Sequence, residues 1–103
     1  MKNIIGIAWY KDEDVYRRAL GIFMDSGNMP AGFEDWKALV EKQLEMIKDS
    51  GHIALRVDLD PETFPDWCAS HGFRADSQGR IAFVNHRVLE YRKTGQGTVL
   101  EKR

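Results

Sequence analysis

His52-Ile53-Ala54-Leu55-Arg56-Val57-Asp58-Leu59 alternates without a break. Ile53, Leu55, Val57 and Leu59 fall on one side, and His52, Ala54, Arg56 and Asp58 on the other. That two-residue period marks a strand with one face on a core. Asp60-Pro61-Glu62 follows at once, with the chemistry of a helix start: a cap, a proline at the first helical position and an acid in the first turn. Phe64, Trp67 and Cys68 mark the inward side of that helix. His71-Gly72-Phe73 ends it, glycine supplying a positive φ and Phe73 folding back over the last turn.

Upstream, Phe33, Trp36, Val40, Gln43, Leu44 and Ile47 recur at helical spacing, and Leu39 and Met46 widen the stripe. Ser50-Gly51 stops this helix, and the polar, glycine-containing run Asp25 to Gly32 is a loop before it. Residues 3–10 read as a first strand, apolar on both faces and therefore covered on both. Asp12 then caps a helix to about Met24, with Val15, Ala19, Ile22 and Phe23 inward. Downstream, Asp76 or Ser77 caps a fourth helix to about Lys93, with Ile81, Val84, Val88 and Tyr91 as its stripe and Phe83 and Leu89 off it. Thr98 to Leu100 is a candidate last strand.

The class is α+β: a small two- or three-stranded sheet with four helices, in the order β-α-α-β-α-α, with a possible final β. Residues 1–93 form one domain, and 94–103 form a tail, flexible or ending in the short strand. Two full helices between the first strands bring the chain back up, down, up, down, so the preferred pairing is antiparallel. Two strands do not make an independent sheet in water. The tail, a second chain or the helices must complete it.

Hydrophobic residues make up 43% and charged residues 30%, which excludes disorder over most of the length. Fifteen lysines and arginines face sixteen acids, so the chain is not built chiefly to neutralise phosphates. Arg17, Arg18, Arg74, Arg80, Arg87, Arg92 and Lys93 carry no nucleic-acid motif, which leaves nucleic-acid binding through the last helix as the weakest reading. The single cysteine, Cys68, cannot form an internal disulfide and suits a reducing, cytoplasmic setting. The apolar run Ile4 to Trp9 is too short for a membrane span or a signal-peptide core, so no membrane partner is expected.

Chemistry is sparse. Cys68 and His71, three apart on a helix, lack the further ligands that a metal site needs, so no metal and no cofactor is expected. Buried beside Trp67, Cys68 behaves as a small hydrophobe. Asp60 and Glu62 are explained as cap and first-turn acids. A small-molecule cleft needs Trp9, Tyr10, Asp58 and Asp60 on one rim, which parallel strands provide and antiparallel strands do not.

Gly6-Ile7-Ala8-Trp9-Tyr10, Met29-Pro30 before Phe33-Glu34-Asp35-Trp36, and Asp60 through Cys68 together resemble a family of short bacterial proteins of uncharacterised function. The likeness runs to about residue 85. It implies a single-domain intracellular bacterial protein and brings no activity with it.

The expected role is that of a non-catalytic interaction domain, self-associating as a homodimer or meeting a protein partner. Its motives are the incomplete sheet, whose open edge invites strand pairing, and Phe83 and Leu89, which have no place on the main stripe. The alternative is a small-molecule binding protein or enzyme using the Trp9, Tyr10, Asp58 and Asp60 rim.

Overall fold

The computed structural model describes residues 3–100. The elements are β1 (Ile4–Trp9), α1 (Glu13–Ile22), a 3₁₀ turn (Ser26–Asn28), α2 (Phe33–Asp49), β2 (Ile53–Asp58), α3 (Phe64–Ser70), α4 (Ser77–Thr94) and β3 (Thr98–Leu100). The expected last strand is present, while residues 101–103 of the expected tail and residues 1–2 of the expected domain lie outside the described residues. No helix among the described residues is long and apolar enough to cross a membrane.

The chain forms a three-stranded mixed sheet of order β1-β2-β3. β3 runs antiparallel to β2, with Leu55 opposite Val99. β1 and β2 run parallel, from Ile4 opposite Ile53 to Trp9 opposite Asp58, which corrects the expected antiparallel pairing of these two. The cause lies in α1 and the loop after it, which travel out and back. The Tyr16 hydroxyl donates to the Pro30 carbonyl, and the Tyr16 ring lies 6.1 Å from Phe33. The start of α2 is thereby held beside α1, close to where β1 ends. Trp36, in the first turn of α2, meets Trp9 at 5.4 Å and Tyr10 at 4.9 Å between ring centroids. Only α2 traverses the sheet, so β2 starts at the same end as β1.

Local chemistry explains the helix limits. Asp12 accepts from the Val15 N–H at 2.9 Å, and Asp76 accepts from both Gln78 and Gly79 N–H at 3.1 Å. Gly51 and Gly72 follow α2 and α3 with φ of 78°, a conformation that costs glycine little. α3 begins later than its cap chemistry suggests. Asp60 closes a turn by accepting from the Glu62 N–H at 2.9 Å, and the helix proper starts at Phe64.

Residues paired across the sheet share a face. Gly6 and Leu55 are such partners. A Cβ on Gly6 would lie 2.3 Å from Val84 Cγ1 and 2.9 Å from Val88 Cγ2, so α4 rests directly on the backbone there. Leu55, Val57, Val84 and Val88 form the core on this face. Ile7 and Ala54 face the other way, into a larger core with Trp36 and Val40 of α2. That core continues past the strand ends through Tyr10, Tyr16, Phe23 and Phe64, with ring centroids 5.1 to 6.2 Å apart in edge-on pairs.

Two assignments on α4 change. Phe83, expected off the packed stripe, is half-buried edge-on against Phe64 at 5.6 Å and Trp67 at 5.2 Å. Ile81, expected in the stripe, is 61% exposed. α4 packs on the sheet along one side and on α3 along another, so its buried surface is wider than one stripe and is rotated from it.

Candidate functional site

Two concavities flank β1. The first runs along its open edge, because β1 is the terminal strand of the sheet. Asn3 and Trp9 turn their backbone toward β2: their carbonyls accept from Ile53 N–H at 2.9 Å and Leu59 N–H at 3.0 Å. Strand alternation then sends the N–H and C=O of Ile4, Gly6 and Ala8 to the open side. No other strand among the described residues pairs there. α2 and α4 stand on either side of this edge and make it a groove of about 420 Å³, lined by Ile5, Ile7, Gln43, Met46 and Ile81 among others. Met46 is 69% exposed and Ile5 37%.

One charged side chain lines the groove, and it is neutralised. Arg80 donates twice to Asp25, at 2.8 and 2.7 Å, and lies over the Phe23 ring at 4.6 Å. The hydrogen bond from Arg80 holds the Asp25 carboxyl below its ordinary range. Burial works against the Arg80 charge, but Asp25 outweighs it and the guanidinium stays protonated.

The second concavity lies at the carboxyl ends of β1 and β2, about 380 Å³, and includes Trp9, Lys11, Arg18, Arg56, Asp58 and Asp60. The parallel pairing brings Trp9, Asp58 and Asp60 to one rim. Tyr10 is not part of it. It is 1% exposed inside the aromatic core, where burial pushes its hydroxyl upward and away from ionisation. Each acid of the rim already has a partner. Arg56 Nε donates to Asp58 at 2.8 Å, Asp60 accepts from the Glu62 N–H, and Glu62 pairs with Arg18 at 3.0 Å. The Arg56 guanidinium also lies over the Trp9 ring at 5.4 Å.

Cys68 and His71 do not form a pair that could carry chemistry. Cys68 is buried, and burial raises its thiol away from the reactive thiolate, with Asp76 adding to the effect. His71 lies on the surface, stacked on Trp67 at 4.1 Å, and its Nδ1 sits 2.8 Å from the Trp67 carbonyl. Among the described residues no three His, Cys, Asp or Glu side chains converge to hold a metal ion. The basic residues are dispersed too: Arg17 pairs with Glu13, Arg18 with Asp14 and Glu62, Arg80 with Asp25 and Arg87 with Glu90.

The groove was foreseeable only as an open edge. Its walls were missed, because Met46 and Ile81 read as core positions by helical spacing. Leu89 is exposed one turn beyond Asn85 on α4, outside the groove's own lining.

Compared with protein-family models, with curated proteins and with solved structures, the chain matches none.

Proposed function

We propose that this chain is a non-catalytic interaction domain that receives an extended polypeptide segment on the open edge of β1. The observation that carries the reading is the outward backbone of Ile4, Gly6 and Ala8 at the floor of an apolar groove. An edge of this kind offers main-chain hydrogen bonds to an added strand, and flanking apolar walls reward its side chains. The usual protections of an edge are lacking: Ile4–Trp9 holds no charge, no proline and no lysine. A peptide carrying the Ile4–Trp9 sequence between solubilising lysines tests the reading. It should shift the amide signals of Ile4, Gly6 and Ala8, and Ile81→Glu should abolish the response. Shifts confined to other surfaces, or none at millimolar peptide, would overturn it.

A second reading draws support from the parallel strands, which put Trp9, Asp58 and Asp60 around one cleft at the place where α/β folds bind small ligands. Its cations, anions and half-buried indole suit a polar zwitterion with a flat group. It ranks lower because the rim acids are already satisfied by the chain itself. Titrating amino acids and nucleosides while following the Trp9 indole N–H decides it: saturable shifts support the cleft, and silence removes it.

A further inference from the structure

We infer that the strand which fills the groove is β1 of a second copy of this chain, paired antiparallel about a two-fold axis through Gly6. This rests on the strand-addition reading above and names its partner.

The first ground is chemical complementarity. Among the described residues the groove carries no unpaired charge, since Arg80 is held by Asp25 and the other wall residues are apolar or amides. Ile4–Trp9 is itself an uncharged apolar strand. Net charge is −1, so two copies meet without strong repulsion.

The second ground is the arrangement of the three layers at the groove. On α2, the amide Gln43 lies four residues after Leu39 and three before Met46, and the three positions span 60° of rotation on a helix of 100° per residue. On α4, the amide Asn85 lies midway between Ile81 and Leu89, four residues to each side. On β1, Gly6 lies midway between Ile4 and Ala8. Gln43, Asn85 and Gly6 all line the groove. A two-fold axis through Gly6 therefore sets Asn85 against Asn85 in the α4 layer. It opposes Ile81 to the Leu89 of the second copy and Ile4 to its Ala8, and leaves Gln43 and Met46 of α2 flanking the added strand. Such a self-complementary patch is what an isologous contact requires. In this register the outward residues Ile4, Gly6 and Ala8 fall in hydrogen-bonded pairs, giving six main-chain bonds across the axis.

The third ground is steric. α4 contacts both Gly6 of β1 and Leu55 of β2, so it sits over the gap between the two strands. Strands pair about 4.8 Å apart, so each copy's α4 would lie roughly 2.4 Å inboard of its β1. The two α4 helices would then be roughly 9–10 Å apart, within the normal range for packed helices. The product is a continuous six-stranded sheet with the two α4 helices meeting on one face.

Two readouts on the parent chain and on a Met46→Glu/Ile81→Glu variant test this. Both substituted residues are more than 60% exposed in the single chain, so its fold should survive, and far-ultraviolet circular dichroism checks that it does. Sedimentation at micromolar concentration should give twice the 11.9-kDa chain mass for the parent and a single chain mass for the variant. Amide exchange at Gly6 and Ala8 should be slow in the parent and at least 100-fold faster in the variant. A parent that stays monomeric with freely exchanging Gly6 and Ala8 amides overturns the second copy as occupant, while peptide binding at the same edge would still uphold strand addition. A dimer whose Gly6 and Ala8 amides exchange freely overturns the β1 pairing, because the contact then lies elsewhere.

Discussion

The open edge of β1 and the cleft at the strand ends are opposite kinds of surface on one strand. The cleft is rich in charge, yet each of its acids is already satisfied: Asp58 by Arg56, Glu62 by Arg18, and Asp60 by a backbone N–H. The edge has almost no charge, yet its backbone at Ile4, Gly6 and Ala8 pairs with no other strand among the described residues. Reactive-looking residue types do not make a site when they are mutually paired. Plain residues become candidates for one when topology leaves their main chain without a strand partner.

The contrast also concerns rigidity, and substitutions can break it. The largest effect is expected at the groove floor. Gly6→Val puts atoms where Val84 already lies within 2.3 Å of an added Cβ, and should cost about 3 kcal/mol, at the upper end for overpacked sites. Urea unfolding measures this, and a midpoint equal to the parent's would mean that α4 does not rest on β1 as described.

An intermediate effect is expected at the groove's end. Asp25→Asn leaves the Arg80 guanidinium without its counter-charge and should cost about 2 kcal/mol at neutral pH. Asp25 is held below its ordinary range in the folded chain, so its contribution is full above the unfolded value of about 3.9. It declines as pH falls through the lowered folded value. Parent and variant should therefore converge in acid, and a gap that is constant from pH 7 to pH 2 would remove the ion pair as its cause.

The smallest effect is expected in the cleft. Asp58 is exposed and its pair with Arg56 is screened by solvent, so Asp58→Asn should change stability by less than about 0.5 kcal/mol. A loss above about 2 kcal/mol would erase the distinction between the two surfaces, since exposed pairs rarely reach that size.

Much of this fold was legible because local chemistry and periodicity agree. The alternation of Ile53 to Leu59, the caps Asp12 and Asp76, and the stops Gly51 and Gly72 each settle one boundary from a few residues. Direction was not legible. Whether α1 counts as a traverse depends on the Tyr16–Pro30 hydrogen bond and on Trp36 returning to Tyr10, contacts between segments that no local pattern encodes. Of the candidate site residues, Trp9, Asp58 and Asp60 share a rim, whereas Tyr10 is drawn inward by the aromatic cluster at the strand's end. On α4, helical spacing assumes one direction of burial. With α3 on a second side, Phe83 turns inward and Ile81 outward, so the residue held in reserve for an interface and the residue assigned to the core exchange places.

The parallel register of β1 and β2 also sets a timetable. Ile4 pairs with Ile53, and Asn3 with His52 at a separation of 49 residues, so no hairpin can bring these strands together early. The intervening chain must be gathered first, and helix formation in α2 shortens that loop before its closure is paid in entropy. Contacts of such range slow folding relative to local ones. Until β2 arrives, the uncharged Ile4–Trp9 segment has two bare edges rather than one. The nascent chain is thus most prone to aggregate in the interval between the emergence of β1 from the ribosome and the docking of β2.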